Sequence, residues 1–172
     1  NNIPKFLGKD IEILANEFST KEVFLNYNEV DVLSDKVLAY KNNKIWKVNN
    51  HPLYLNNEKI IISSKYEDIQ NFEIYAETDE LNFSSINAIL KIPQRLVGQY
   101  SGELNITKSN NDFEINTHAN MLNGKFDEMV FDSLLYSINW TNKNINYNDV
   151  KYYYGNQVLS ISGEHFPNNN FE

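Results

Sequence analysis

From Glu22 onward the apolar positions recur mostly at every second residue, the period of a strand with one face buried. Val37-Leu38-Ala39-Tyr40 and Ile45-Trp46-Lys47-Val48 flank Asn42-Asn43, and asparagine tolerates the positive φ that a two-residue hairpin turn requires. Pairing about that turn sets Val37, Ala39, Trp46 and Val48 on one face. Leu53-Tyr54-Leu55 and Ile60-Ile61-Ile62 flank a second such pair, Asn56-Asn57. The same reasoning puts His51, Leu53, Leu55, Ile60 and Ile62 on one face, with Tyr54 and Lys59 opposite. Phe72 to Ala76 alternates as a further strand, and Ser84 to Lys91 reads as a helical turn or a strand ended by Pro93. Before Glu22, the spacing of Ile11, Leu14 and Phe18 predicts a short helix over Gly8 to Phe18, with Asp10 as its N-cap.

Beyond Pro93 the pattern becomes a meander. Leu96–Thr107, Phe113–Ala119, Gly124–Phe131, Leu134–Trp140, Val150–Tyr154 and Val158–Phe166 read as strands separated by Asn- and Asp-rich turns. Six strands with short connections predict an antiparallel barrel or a strongly curved sheet, since closure removes exposed edges. The expected fold is therefore mainly β, with a β-rich module over residues 1–93 and a barrel module over 94–172. No internal repeat of 20–50 residues is evident.

Composition narrows the function. Fifteen Lys and Arg against 23 Asp and Glu leave a net charge of −8, and Arg95 is the single arginine, so phosphate-directed nucleic-acid binding is not expected. No apolar run approaches the roughly 20 residues that a helix needs to cross a bilayer, which predicts no membrane span. Cysteine is absent, removing disulfides, thiolate metal sites and thiol catalysis. The first residue is Asn1 rather than Met, so an N-terminal segment, which could include an export signal, is expected to have been removed. Asparagine is abundant and lysine dominates arginine, a pattern of AT-rich coding. Three acceptor patterns for N-glycosylation, at Asn82, Asn105 and Asn139, are therefore expected by chance. The usual catalytic motifs are missing and no carboxylate pair stands out, so an enzyme is not expected.

The three histidines are the best-suited ligands for haem iron. His51 leads, because the second hairpin places its imidazole beside four aliphatic residues, with Tyr54 across the strand. His51 and Tyr54 are thus the candidate haem contacts, weighed against a histidine satisfied by backbone groups at a strand end. His118 alternates with Glu114 and Asn116 on a polar face, and His165 sits at a strand end. For a protein partner, Trp46, Tyr152 and Tyr154 supply candidate aromatic anchors.

Tyr100-Ser101-Gly102, then Phe113-Glu114-Ile115 running into Leu122-Asn123-Gly124-Lys125-Phe126, then Ile161-Ser162-Gly163-Glu164-His165-Phe166 before a Pro-Asn turn, form a spaced series. It resembles the C-terminal eight-stranded barrel of Gram-negative surface lipoproteins and haemophores, the group of transferrin-binding protein B, factor H binding protein, haemoglobin receptor lipoproteins and haemophilin. Departures are the scarcity of glycine, His165 inserted in the terminal motif, and an end at Phe171-Glu172 where family members continue through a final strand. The resemblance implies an exported bacterial protein, secreted or at the cell surface, that captures a host factor, above all for haem or iron acquisition, with the module over residues 1–93 presenting the ligand surface. Haem, haemoglobin, transferrin or a complement regulator are the implied ligands. Two other classes fit the composition: a small acidic inhibitor or immunity protein for a basic partner, and a lipocalin-like carrier of an apolar molecule.

Overall fold

The computed structural model describes residues 5–9, 11–27, 30–34, 36–90 and 96–166. Its strands are β1 (Lys5–Lys9), β2 (Glu12–Leu14), β3 (Glu17–Thr20), β4 (Glu22–Tyr27), β5 (Val30–Ser34), β6 (Val37–Asn42) and β7 (Ile45–Leu55). They continue with β8 (Glu58–Asp68), β9 (Asn71–Asn82), β10 (Leu96–Ser109), β11 (Asp112–Phe126), β12 (Met129–Thr141), β13 (Ile145–Tyr154) and β14 (Gln157–His165). One helix, α1 (Phe83–Leu90), is inserted between β9 and β10. All fourteen strands belong to one sheet. From β7 to β14 each strand pairs antiparallel with the next, while β4, β5 and the β2–β3–β6 branch join at the β7 end.

Four hairpins close where asparagine or aspartate adopts the left-handed conformation. Asn56 and Asn57 have φ of 48° and 72°, and Leu55 faces Glu58 across them as the alternation predicts. Asn43, Asn110 and Asp127 serve the turns after β6, β10 and β11. The first of these turns is Asn43-Lys44 rather than Asn42-Asn43. Lys41 therefore faces Trp46, a two-residue slide that keeps Trp46 on its expected face.

Two expectations are corrected. The segment predicted as a helix over Gly8 to Phe18 forms strands, with Ile13 opposite Phe18 across the Ala15-Asn16 turn and Phe18 opposite Ala39 of β6. Pairing with a distant strand outweighs a weak helical period of only three matching positions. Asp10 lies outside the described residues. The segment Gly124–Phe131 is not one strand either: Asp127, at φ 51°, turns the chain between β11 and β12, so five long strands stand where six were read.

The sheet is open. Among the described residues β14 pairs with β13 alone and β1 with β4 alone, so the expected eight-stranded closure is not formed. Pro93, the expected module boundary, lies outside the described residues, and β9 and β10 on either side of it pair from Asn71↔Ser109 to Asn82↔Gln99. The chain exposes 11840 Å², against about 8,700 Å² for a compact monomer of 20.1 kDa.

A small core is built under the helix. Val30, Leu55 and Leu81 are buried beneath α1, with Val32, Ile60, Ile86, Ala88 and Tyr100 packed around them. The helix is held there at its start and from its middle. Asn82 Oδ1 caps it, accepting from the Ser84 N–H at 3.0 Å, and the buried Asn87 amide donates to Leu96 O at 2.6 Å. Ala119, Met121 and Phe131 are buried as well, with the Tyr152 ring edge-on to Phe131 at 6.2 Å. Phe131 reaches that position because Gly124 lacks a side chain: a Cβ there would lie 2.2 Å from Phe131 Cζ and 2.7 Å from Val97 O. Gly124→Ala is accordingly expected to cost about 1–3 kcal/mol through overpacking. Gly163→Ala, whose Cβ meets nothing within 4 Å, should stay within about 0.5 kcal/mol of the parent. Urea denaturation of both variants checks the contrast.

Candidate binding groove on the polar face

Strand alternation sorts side chains to two faces, and the register of β8 to β13 lines them up in rows across the sheet. One row runs Ile61, Glu77, Glu103, His118, Ser137, Asn148. The next on the same face runs Ser63, Tyr75, Asn105, Asn116, Asn139, Asn146, so four asparagines from β10 to β13 stand side by side. The opposite face carries Ile74, Ile106, Ile115, Trp140 and Ile145 in one row. The sheet is thus apolar on one side and rich in amides and carboxylates on the other.

The polar side holds an open groove of about 910 Å³, lined by Glu58, Glu77, Asp79, Glu80 and Glu103, with Lys59 and His118 as the basic side chains of its wall. A second hollow of about 400 Å³ shares Glu103 and His118 and extends over Tyr75, Asn105, Asn116 and Asn139. Glu77 and Glu103 are directly opposed, an arrangement of like charges that costs roughly 0.2–1 kcal/mol in a sheet. Tyr75 mitigates it. Its hydroxyl lies 2.7 Å from Glu77 Oε2 and 3.0 Å from Glu103 Oε2, and its one proton serves either carboxylate. The bond to Glu77 above all, then burial and the bond to Glu103, pushes the Tyr75 phenol well above its ordinary range. Burial likewise raises Tyr136, with the nearby Tyr100 adding to it, and burial raises Tyr100, with the Glu103 charge adding.

The amide row is tied by side-chain bonds. Asn139 Nδ2 donates to Asn116 Oδ1 at 2.6 Å and to Glu114 Oε1 at 2.7 Å. Asn105 Oδ1 is enclosed without a hydrogen-bond partner among the described residues. Further along, Lys65 pairs with Glu73 at 2.6 Å, and Gln99 Nε2 donates to Glu80 Oε1 at 3.0 Å.

The residues singled out in the sequence are not brought together. His51 does face Ile62, and Leu53 faces Ile60, as the Asn56-Asn57 turn predicts, with Tyr54 beside Lys59 and Leu33 on the other side. The His51 ring nitrogen Nε2, however, lies 2.6 Å from Oγ of the buried Ser34. Iron ligation through Nε2 would break that bond, and much of the aliphatic surface expected to cover a porphyrin is taken by the core under α1. Trp46 packs beneath the Lys41 ammonium at 5.5 Å. Tyr152 packs on Phe131 and donates to Val130 O at 2.5 Å, whereas Tyr154 is exposed at the turn before β14. Trp46 and Tyr152 stand six strands apart, about 29 Å along the sheet at the usual strand spacing. His118 lies exposed on the polar face, as its alternation predicts, and His165 is exposed opposite Ile145.

The groove's own residues, Tyr75, Glu77 and Glu103, were not singled out. Their alternation is visible in the sequence, but the pairing of Glu77 with Glu103 depends on α1 lying between their strands and on an extra residue in β9, where Tyr100 faces Leu81 and Gly102 faces Thr78. Compared with family models, curated proteins and solved structures, the chain matches none.

Two measurements follow from these contacts. In an alkaline spectrophotometric titration Tyr75, Tyr100 and Tyr136 should ionise after the ordinary tyrosines, and Tyr75→Phe should remove one late step. Each raised phenol stabilises the fold fully below its unfolded pKa of about 10, and that contribution is lost as pH rises through the folded value. Ser34→Ala should cost about 1–3 kcal/mol in urea denaturation, because it removes a buried partner of the His51 ring.

Proposed function

We propose that this chain is a binding protein that captures a basic protein partner on the acidic groove of its open sheet. The observation that carries the reading is the opposed pair Glu77 and Glu103, set among Glu58, Asp79 and Glu80 in one groove. Two carboxylates held face to face share a single phenol proton, which leaves negative charge uncompensated, so a lysine or arginine from a partner gains an interaction that the free protein lacks. The net charge of −8 steers such a partner from a distance. Five carboxylates in the groove wall, Glu58, Glu77, Asp79, Glu80 and Glu103, suit this chemistry.

An acidic inhibitor or immunity protein is the form of this reading that the charge favours. Host-factor capture by an exported protein is the form that the family resemblance favours, and haemoglobin, transferrin and complement regulators belong among the proteins tested. The immobilised chain should retain basic proteins from a panel graded by isoelectric point, with retention falling steeply as salt rises. The double reversal Glu77→Lys/Glu103→Lys should weaken the best binder at least tenfold, a loss of about 1.4 kcal/mol or more. Retention that ignores isoelectric point, or survives the double reversal unchanged, would overturn the proposal.

A further inference from the structure

The last strand of the sheet lacks the devices that keep edges apart. All nine residues of β14 are exposed, with Val158, Leu159 and Ile161 at 59%, 56% and 52%. Edges are ordinarily blunted by lysine, proline, an inward charge or a bulge. β14 contains no Lys, Arg or Pro, and the extra residue at its irregular pairing belongs to β13, where Tyr147 faces Gly163 and Val150 faces Ile161. Among the described residues nothing pairs with its outer side. Strand β2, an edge that pairs with β3 alone among the described residues, differs in being only three residues long and in carrying Glu12.

Charge identifies the occupant. A chain with a net charge of −8 repels its own copies over most of its surface. Residues 157–163 carry no charge, and the one acidic residue of β14, Glu164, accepts a hydrogen bond from the Asn144 amide. A basic or acidic partner strand gains nothing there, whereas a second copy finds an uncharged and self-complementary edge. We propose that two copies join antiparallel through β14, about a two-fold axis at Ile161, and extend both sheets into one. Such an interface is isologous, so it closes at two copies instead of propagating. In that register Ser160 lies opposite Ser162 of the second copy, a pairing that allows a cross-strand hydrogen bond. Leu159 lies opposite Gly163, where a Cβ would meet nothing within 4 Å and the leucine has room.

Sedimentation velocity across a dilution series tests the pairing. The mass should double as concentration rises, and Leu159→Lys, which places charge on the uncharged edge, should return the chain to a monomer with an unchanged circular dichroism spectrum. The cysteine-free sequence offers a second measurement that does not depend on that variant folding. Cysteines placed opposite one another in an antiparallel pair come near the Cβ separation that a disulfide requires. Ile161→Cys should therefore oxidise to a covalent dimer. Ile13→Cys, on the equally exposed strand β2, should not. A monomer at every concentration, a dimer that persists in Leu159→Lys, species larger than a dimer, or equal cross-linking at Ile13 would each overturn the proposal.

Discussion

The sheet depends on the ability of asparagine and aspartate to take positive φ. All eight non-glycine residues with positive φ among those described are Asn or Asp. Most other side chains pay a steric penalty there, and a short polar side chain that bonds locally does not pay it in full. With six glycines in 172 residues, the tight turns of a long meander need another source of left-handed backbone. Asn43, Asn56, Asn57, Asn110 and Asp127 turn hairpins. Asn50 and Asp149 sit at register shifts inside strands, where two residues face one and the strand bends. The asparagine richness that reads as coding bias thus has a conformational role at particular positions.

That dependence explains which parts of the fold were legible. The Asn56-Asn57 hairpin was readable to the residue, because both central positions are asparagine and both flanks alternate cleanly. The turn at Asp127 was not, since Asp127-Glu128 lacks a glycine or an asparagine pair and lies between apolar residues on both sides. The opening strands were misread because β2 and β3 are three and four residues long and owe their form to pairing with β6. Local spacing carries no trace of a partner strand 20 residues away. Openness was not readable either: short connections favour neighbouring strands but do not say whether the last returns to the first.

The candidate site shows the same division between local and distant information. Face assignment follows from alternation alone, which is why the placement of His118 on the polar side was legible. Row assignment needs the register between strands, and the strands that oppose Glu77 to Glu103 are separated in sequence by a helix and in pairing by an irregularity. The aromatic residues that draw the eye are mostly committed to packing: Tyr152 to Phe131, Trp46 to Lys41 and Phe113 to Trp140. The polar tyrosine between two glutamates is less conspicuous and more unusual in its chemistry.

From β8 to β14 every strand pairs only with the strands before and after it in the chain. Such an array behaves as a row of linked units whose stability is a sum of nearest-neighbour terms, as in repeat proteins. Its contacts can form hairpin by hairpin, without waiting for the two ends of the chain to meet. Loss of structure then begins at the termini of the row and moves inward. The strands beneath α1 and around Met121 and Phe131 form the resistant middle, while β14, with no buried side chain of its own, is the first to fray in a single copy.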